Sequence, residues 1–84
     1  MRDTIWLLTE QQDYEGLEVH SVHGVKPTVF TLRSILNNKY ANMYSDEIIR
    51  DWAYRLWDGE VYIASLFTWR LEEIGLYDNP TIPN

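Results

Sequence analysis

A chain of 84 residues with 45% apolar side chains, four Trp and a net charge of −6 is sequence for one domain, residues 1–84, and is too apolar to stay disordered. It holds no cysteine, which removes disulfide scaffolds and thiolate zinc sites and fits a reducing compartment. No run approaches the roughly 18 apolar residues of a membrane span, and Met1-Arg2-Asp3-Thr4 lacks the basic and then apolar layout of a signal peptide, so a cytoplasmic protein with no membrane partner is expected.

Thr4 to Glu10 is a short apolar run of strand formers and predicts a first strand. Gln11 to Gly16 is a polar connection suited to a turn. Leu17 to Val25 alternates, with Leu17, Val19, Ser21, His23 and Val25 on one side and Glu18, His20, Val22 and Gly24 on the other. That predicts a second strand, hairpin-paired with the first. After Pro27, which a first helical turn tolerates, Val29, Phe30, Leu32, Arg33, Ile35 and Leu36 form a stripe at helical spacing. The start of this first helix is open by several residues, because Thr28 and Thr31 are both competent caps.

Asn37 to Tyr44 carries three Asn and reads as a loop. Ser45 then reads as an N-cap, with Asp46 and Glu47 in the first turn where the helix dipole favours acids. Ile48, Ile49, Trp52, Ala53, Leu56 and Trp57 recur at helical spacing and define a second helix, which Gly59 can close. The competing reading, a hairpin turning at Asp58-Gly59, fits the cap and the period less well. Glu60 to Ile74 is ambiguous: its Val, Tyr, Ile, Phe, Thr and Trp favour a strand, while its length and its Leu-Glu-Glu-Ile-Gly ending favour a helix. One long strand is the preferred reading. Residues 78–84, with Pro80 and Pro83, read as a tail. The predicted fold is therefore α+β, a small antiparallel three-stranded sheet with two helices in the order β-β-α-α-β.

Charge is unevenly spread. Glu10, Asp13, Glu15 and Glu18 follow one another without a base, whereas residues 19–45 hold Lys26, Arg33 and Lys39 and no acid. Ordinary solubility explains much of this; the sharper reading is an acidic face that meets a basic partner. Direct nucleic-acid binding is not expected, because a duplex binder needs clustered cations. His20 and His23, three apart on a strand, point to opposite faces and cannot share a metal. No Gly-x-Ser-x-Gly turn, phosphate loop or His-Glu-x-x-His motif occurs, and adjacent acids such as Asp46/Glu47 point apart. These observations favour a non-enzymatic protein without metal or cofactor.

Eight of the twelve aromatic residues fall between Tyr40 and Trp69, more than a small core hides. The second helix's apolar stripe reads as core. Tyr54 lies off that stripe beside Arg50 and Arg55, and Tyr40 and Tyr44 lie in the loop before it. Tyr, Trp and Arg are the usual interface anchors, so Tyr40, Tyr44, Arg50, Tyr54 and Arg55 are the candidate partner-binding residues, with Glu10, Asp13, Glu15 and Glu18 as the acidic contribution. The first strand is apolar on both sides, Ile5 and Leu7 against Trp6 and Leu8. Two short helices adjacent in sequence most simply cover one face, and a homodimer is the simplest cover for the other. The rivals are a monomer with one helix on each face and a patch reserved for a target.

The run Ile5-Trp6-Leu7-Leu8-Thr9-Glu10, the acidic Asp13-Tyr14-Glu15, the strand Val19 to Val25 leading into a helix, and Leu71-Glu72-Glu73-Ile74 together resemble small accessory proteins of phages and other mobile elements. Pro27 and the Trp-rich second helix depart from that pattern. The resemblance implies a host-cell protein as partner and, as with many anti-CRISPR proteins, inhibition or modulation of that host protein in the host cytoplasm. Alternatives from other classes are an acidic mimic of nucleic acid in a basic groove and a virion or assembly component.

Overall fold

A computed structural model of the chain describes residues 2–12 and 16–77. The elements run β1 (Arg2–Gln12), β2 (Leu17–His23), α1 (Val29–Tyr40), α2 (Asp46–Trp57), β3 (Glu60–Ile63) and β4 (Phe67–Tyr77). The four strands form one antiparallel sheet in the order β2-β1-β4-β3. The fold is α+β, but the three-stranded sheet expected from the sequence is corrected to four strands, and the order to β-β-α-α-β-β.

The correction lies in the segment after Gly59. The chain reverses at Ala64 and Ser65, which take φ of 55° and 58°, and the Leu66 N–H donates to the Ile63 carbonyl at 3.1 Å. Two consecutive left-handed residues define a primed hairpin turn, normally written Asn-Gly or Asp-Gly. Ala-Ser carries no such signal. The turn also preserves strand parity: Val61, Ile63, Phe67, Trp69 and Leu71 all remain on one face, because Ile63 pairs with Phe67 and Val61 with Trp69. The alternation of one long strand and of this hairpin is therefore the same.

α1 begins where Thr28 caps it, its hydroxyl accepting from the Thr31 N–H at 3.1 Å. It runs through Asn37, Asn38 and Lys39 to Tyr40, residues expected as loop. Leu32, Leu36 and Tyr40, at i, i+4 and i+8, are all buried. Two Asn disfavour a helix by up to about 0.7 kcal/mol each, whereas burying one large apolar side chain contributes about 1.5–3 kcal/mol. Burial wins. α2 follows the expected plan: the Ser45 hydroxyl accepts from the Ile48 N–H at 3.3 Å, Asp46 and Glu47 occupy the first turn, and Gly59 at φ 134° lets the chain leave toward β3. Ile49, Ala53 and Leu56 of its stripe are buried, but Ile48 and Trp57 are exposed.

The buried strand residues Leu8, Val61, Ile63, Trp69 and Leu71 lie on the sheet face that meets Leu32, Leu36, Tyr40, Ile49, Ala53 and Leu56. Both helices thus cover the same face. Trp6, Trp52, Tyr44 and Phe67 pack half-buried around this core. The shortest extent of the molecule is 17 Å, room for one sheet and one helix layer at a spacing of about 10 Å. The residues expected as a tail, 78–84, lie outside the described residues.

The strained turn gives a direct test. A left-handed residue other than Gly costs roughly 1–2 kcal/mol, so replacing Ala64-Ser65 by Asn-Gly is expected to raise stability by about 1 kcal/mol or more, read as a higher midpoint in urea unfolding. A lower midpoint would show that the two side chains contribute packing that outweighs the backbone gain.

Candidate partner-binding surface

The expected site residues separate into two groups. Tyr40 is not a surface anchor. Its ring is 3% exposed, and its hydroxyl accepts from the Trp69 indole N–H at 3.1 Å. It meets Tyr44, Trp52 and Phe67 edge to face, at centroid separations of 6.3, 5.8 and 6.0 Å. Tyr44 is half-buried against Trp52 at 4.8 Å. These rings lock the loop between the helices onto β4, a role set by the extension of α1, which turns Tyr40 inward.

Glu10 also departs from the expected exposed acidic run. It sits on the helix face opposite Trp69 in the β1–β4 register, 8% exposed, and its carboxylate accepts from the Lys39 ammonium at 2.8 Å. Glu18 is exposed; Asp13 and Glu15 lie outside the described residues. Lys39, missed in the sequence because it was placed in a loop, stands 5.7 Å from the Trp69 ring centroid and lies between two shallow clefts. One holds Glu10, Gln12, Glu18 and Phe67, the other His20, Ile35, Asn38 and Trp69.

The histidines are rearranged by a β-bulge. Leu8 pairs with Ser21 and Thr9 with Val19, which leaves His20 as the extra residue and turns its ring toward Trp69, at 5.5 Å. Ser21 and His23 face the same side, opposite Leu8 and Trp6. The expectation of opposite faces is thereby corrected: the Ser21 hydroxyl lies 3.1 Å from His20 Nδ1 and 2.8 Å from His23 Nε2. The hydroxyl occupies the space between the rings, and among the described residues no group of three possible metal ligands forms.

The second group of site residues is on the surface. The five-residue connection between the helices makes them antiparallel neighbours, which brings the start of α1 beside the end of α2. There Val29, Tyr54, Arg55, Trp57 and Asp58 line an open cleft of about 450 Å³ with mostly apolar walls. Tyr54 is 58% exposed and Trp57 39%. Arg50 is exposed on the same outer side of α2. Arg55 donates to Asp51 at 3.0 Å across one helical turn, which holds its guanidinium along the helix. Trp57, expected in the core, is exposed at the last residue of α2; the Lys26 ammonium caps its ring at 3.3 Å from the centroid, with the Trp6 ring 5.1 Å from the same ammonium. A cation over an indole contributes about 0.5–1 kcal/mol at an exposed site. Among the described residues no helix is long and apolar enough to cross a membrane.

No family model, curated protein or solved structure matches the chain, so this surface is read from its own chemistry.

Tyr40 supplies a pH-dependent test of the buried junction. Burial, more than anything else, pushes its phenol above the ordinary 10.0; the donated Trp69 N–H acts in the opposite direction, and the Glu10 charge adds to the rise. A folded pKa above the unfolded one means that the contribution to stability is complete below pH 10 and is lost as pH rises through the folded value. Tyr40→Phe is expected to lower stability at neutral pH by about 1 kcal/mol, through the lost acceptor for Trp69, and to flatten the decline above pH 10. Unfolding midpoints at a series of pH values check both; an unchanged alkaline decline in the variant would assign it to other groups.

Proposed function

We propose that the chain is a non-enzymatic protein-binding module whose contact surface is the end of the α1–α2 hairpin, with Tyr54 and Trp57 as anchors and Arg50 and Arg55 beside them. The observation that carries this reading is the joint exposure of Tyr54 and Trp57 along one apolar cleft flanked by Arg55 and Asp58. Interface energy concentrates in Trp, Tyr and Arg set in pockets with a polar rim. Here the helices already fix those side chains, so little conformational entropy is lost on binding.

The resemblance to phage and mobile-element accessory proteins makes the partner a host protein, inhibited or modulated in the host cytoplasm. An anti-CRISPR-like role belongs to this reading. The exposed Glu18 and the acids beside it in sequence would then steer a basic partner, an effect on the association rate rather than on the fold. The alternative of an acidic nucleic-acid mimic draws less support. Glu10, Asp46, Asp51 and Glu60 are each paired with a cation, Lys39, Arg33, Arg55 and Arg70 respectively, whereas a mimic has to present its acids free.

Affinity capture from cells expressing the tagged chain identifies the partner, and titration with the purified partner tests the surface. Tyr54→Ala is expected to weaken binding by about 30-fold or more, the effect of losing an anchor worth 2 kcal/mol, while the melting temperature stays put because the ring is exposed. Trp57→Ala should do the same with a small loss of stability from the Lys26 contact. Full affinity in both variants would remove this surface from the binding reaction.

A further inference from the structure

Among the described residues, no helix packs on the sheet face turned away from α1 and α2. On β2 it presents Leu17, Val19 and Val22, exposed by 59, 57 and 55%. Beside them on β1 stand Ile5 and Leu7, half-buried, and the buried Thr9; Leu7 pairs with Val22 and Thr9 with Val19. Ile74 of β4 continues the patch opposite Ile5. An antiparallel sheet that met water here would alternate to polar side chains on this side.

Charge points to what does cover it. The chain carries −6, yet the bare face holds no charged residue on β2 or on Thr4 to Gln12 of β1. Among the described side chains its charges stand on β3 and β4, where Glu60 and Arg70 pair at 2.9 Å beside Glu72. The uncharged half is where two acidic copies can approach without repulsion. A second observation lies in the pairing. β2 reaches only Trp6 on β1 and β3 only Arg70 on β4, so Arg2 to Ile5 and Ile74 to Tyr77 form a two-stranded ribbon. Such a ribbon is marginal in water unless something packs on it.

We propose that this face is the interface of a homodimer in which two sheets stack about a two-fold axis running across the strands. That operation sets β1 and β2 on their own copies, brings Leu17, Val19, Val22 and Leu7 of one copy against the same uncharged flank of the other, and keeps Glu60, Arg70 and Glu72 on the opposite flank. Four strands about 4.8 Å apart and some 25 Å long hide on the order of 1,000 Å² in total, the lower limit of a specific contact. The dimer is thus of the weak, concentration-dependent kind. It turns both helix layers outward and presents two Tyr54–Trp57 clefts at once.

Sedimentation or light scattering from micromolar to submillimolar protein tests this. The mass is expected to rise from 10.0 kDa toward twice that value. Val19→Glu with Val22→Glu, both at exposed positions, should hold the mass at the monomer value with an unchanged far-UV spectrum, whereas Tyr54→Ala should leave dimerisation intact. A wild-type chain that stays monomeric throughout overturns the proposal without recourse to any variant. So does a dimer that survives the paired charge substitution, which would have to form through a strand edge or the helices; Leu17→Lys, at the end of β2, serves if the pair fails to fold.

Discussion

β1 and β4 lie side by side for eleven residues, from Arg2 opposite Tyr77 to Gln12 opposite Phe67, and every other element takes its position from that ribbon. β2 adds to the free edge of β1 and β3 to that of β4. The α1–α2 hairpin, which separates the two halves of the sheet in sequence, folds down on the side where Leu8 meets Leu71. The pairing joins residues distant in sequence, from Gln12 with Phe67 to Arg2 with Tyr77, so its loop-closure entropy has to be met before the contacts it enables return anything. What helps to offset it is the burial of Trp69 on β4, fully enclosed in the core between sheet and helices, with its indole N–H satisfied by Tyr40.

The same ribbon leaves the molecule thin and long. Its radius of gyration is 14.9 Å, against about 12 Å for a compact chain of this length. Each exposed strand edge is managed differently. β3 is only four residues long, and β2 carries the bulge at His20; short edges and bulges both blunt edge-to-edge association. The bare face has no such device. Val19 and Val22 stand in the open there, and an exposed apolar patch of this kind commonly marks an interaction site.

Much of this was legible in sequence, and the misses share a cause. The two helices, the Ser45 cap, β1 and the hairpin partner β2 follow from local chemistry, which acts over a few residues. The Ala64-Ser65 turn was hidden because left-handed backbone at non-Gly residues has no residue signature and because the turn preserves parity. The bulge at His20 was hidden because alternation presumes an unbroken ladder; one extra residue brought His20 and His23 to the same side. Tyr40 was misplaced for a different reason, the tertiary override of two Asn by the buried row of Leu32, Leu36 and Tyr40. Of the candidate site, Arg50, Tyr54 and Arg55 could be placed from helical period alone, whereas Trp57 could not, since it continues the apolar period yet is exposed at the last residue of α2.

The aromatic concentration between Tyr40 and Trp69 now divides by structure. Tyr40 and Trp69 are core; Tyr44, Trp52 and Phe67 form its half-buried border; Tyr54, Trp57 and Tyr62 are exposed. A helix layer seated on one face of a four-stranded sheet offers room for few large rings, and the remainder have to stand outside it. The three exposed rings add little to stability where they are, so nothing in the fold requires them to be aromatic. They point in two directions: Tyr54 and Trp57 out from the helices, Tyr62 out from the bare side of the sheet. Surfaces on opposite sides of a two-layer molecule do not compete. A dimer through the sheet faces, as proposed, would therefore leave the helix clefts open, and two such clefts in one assembly would raise avidity for a partner with two matching sites, or for two partners held together, without any new contact.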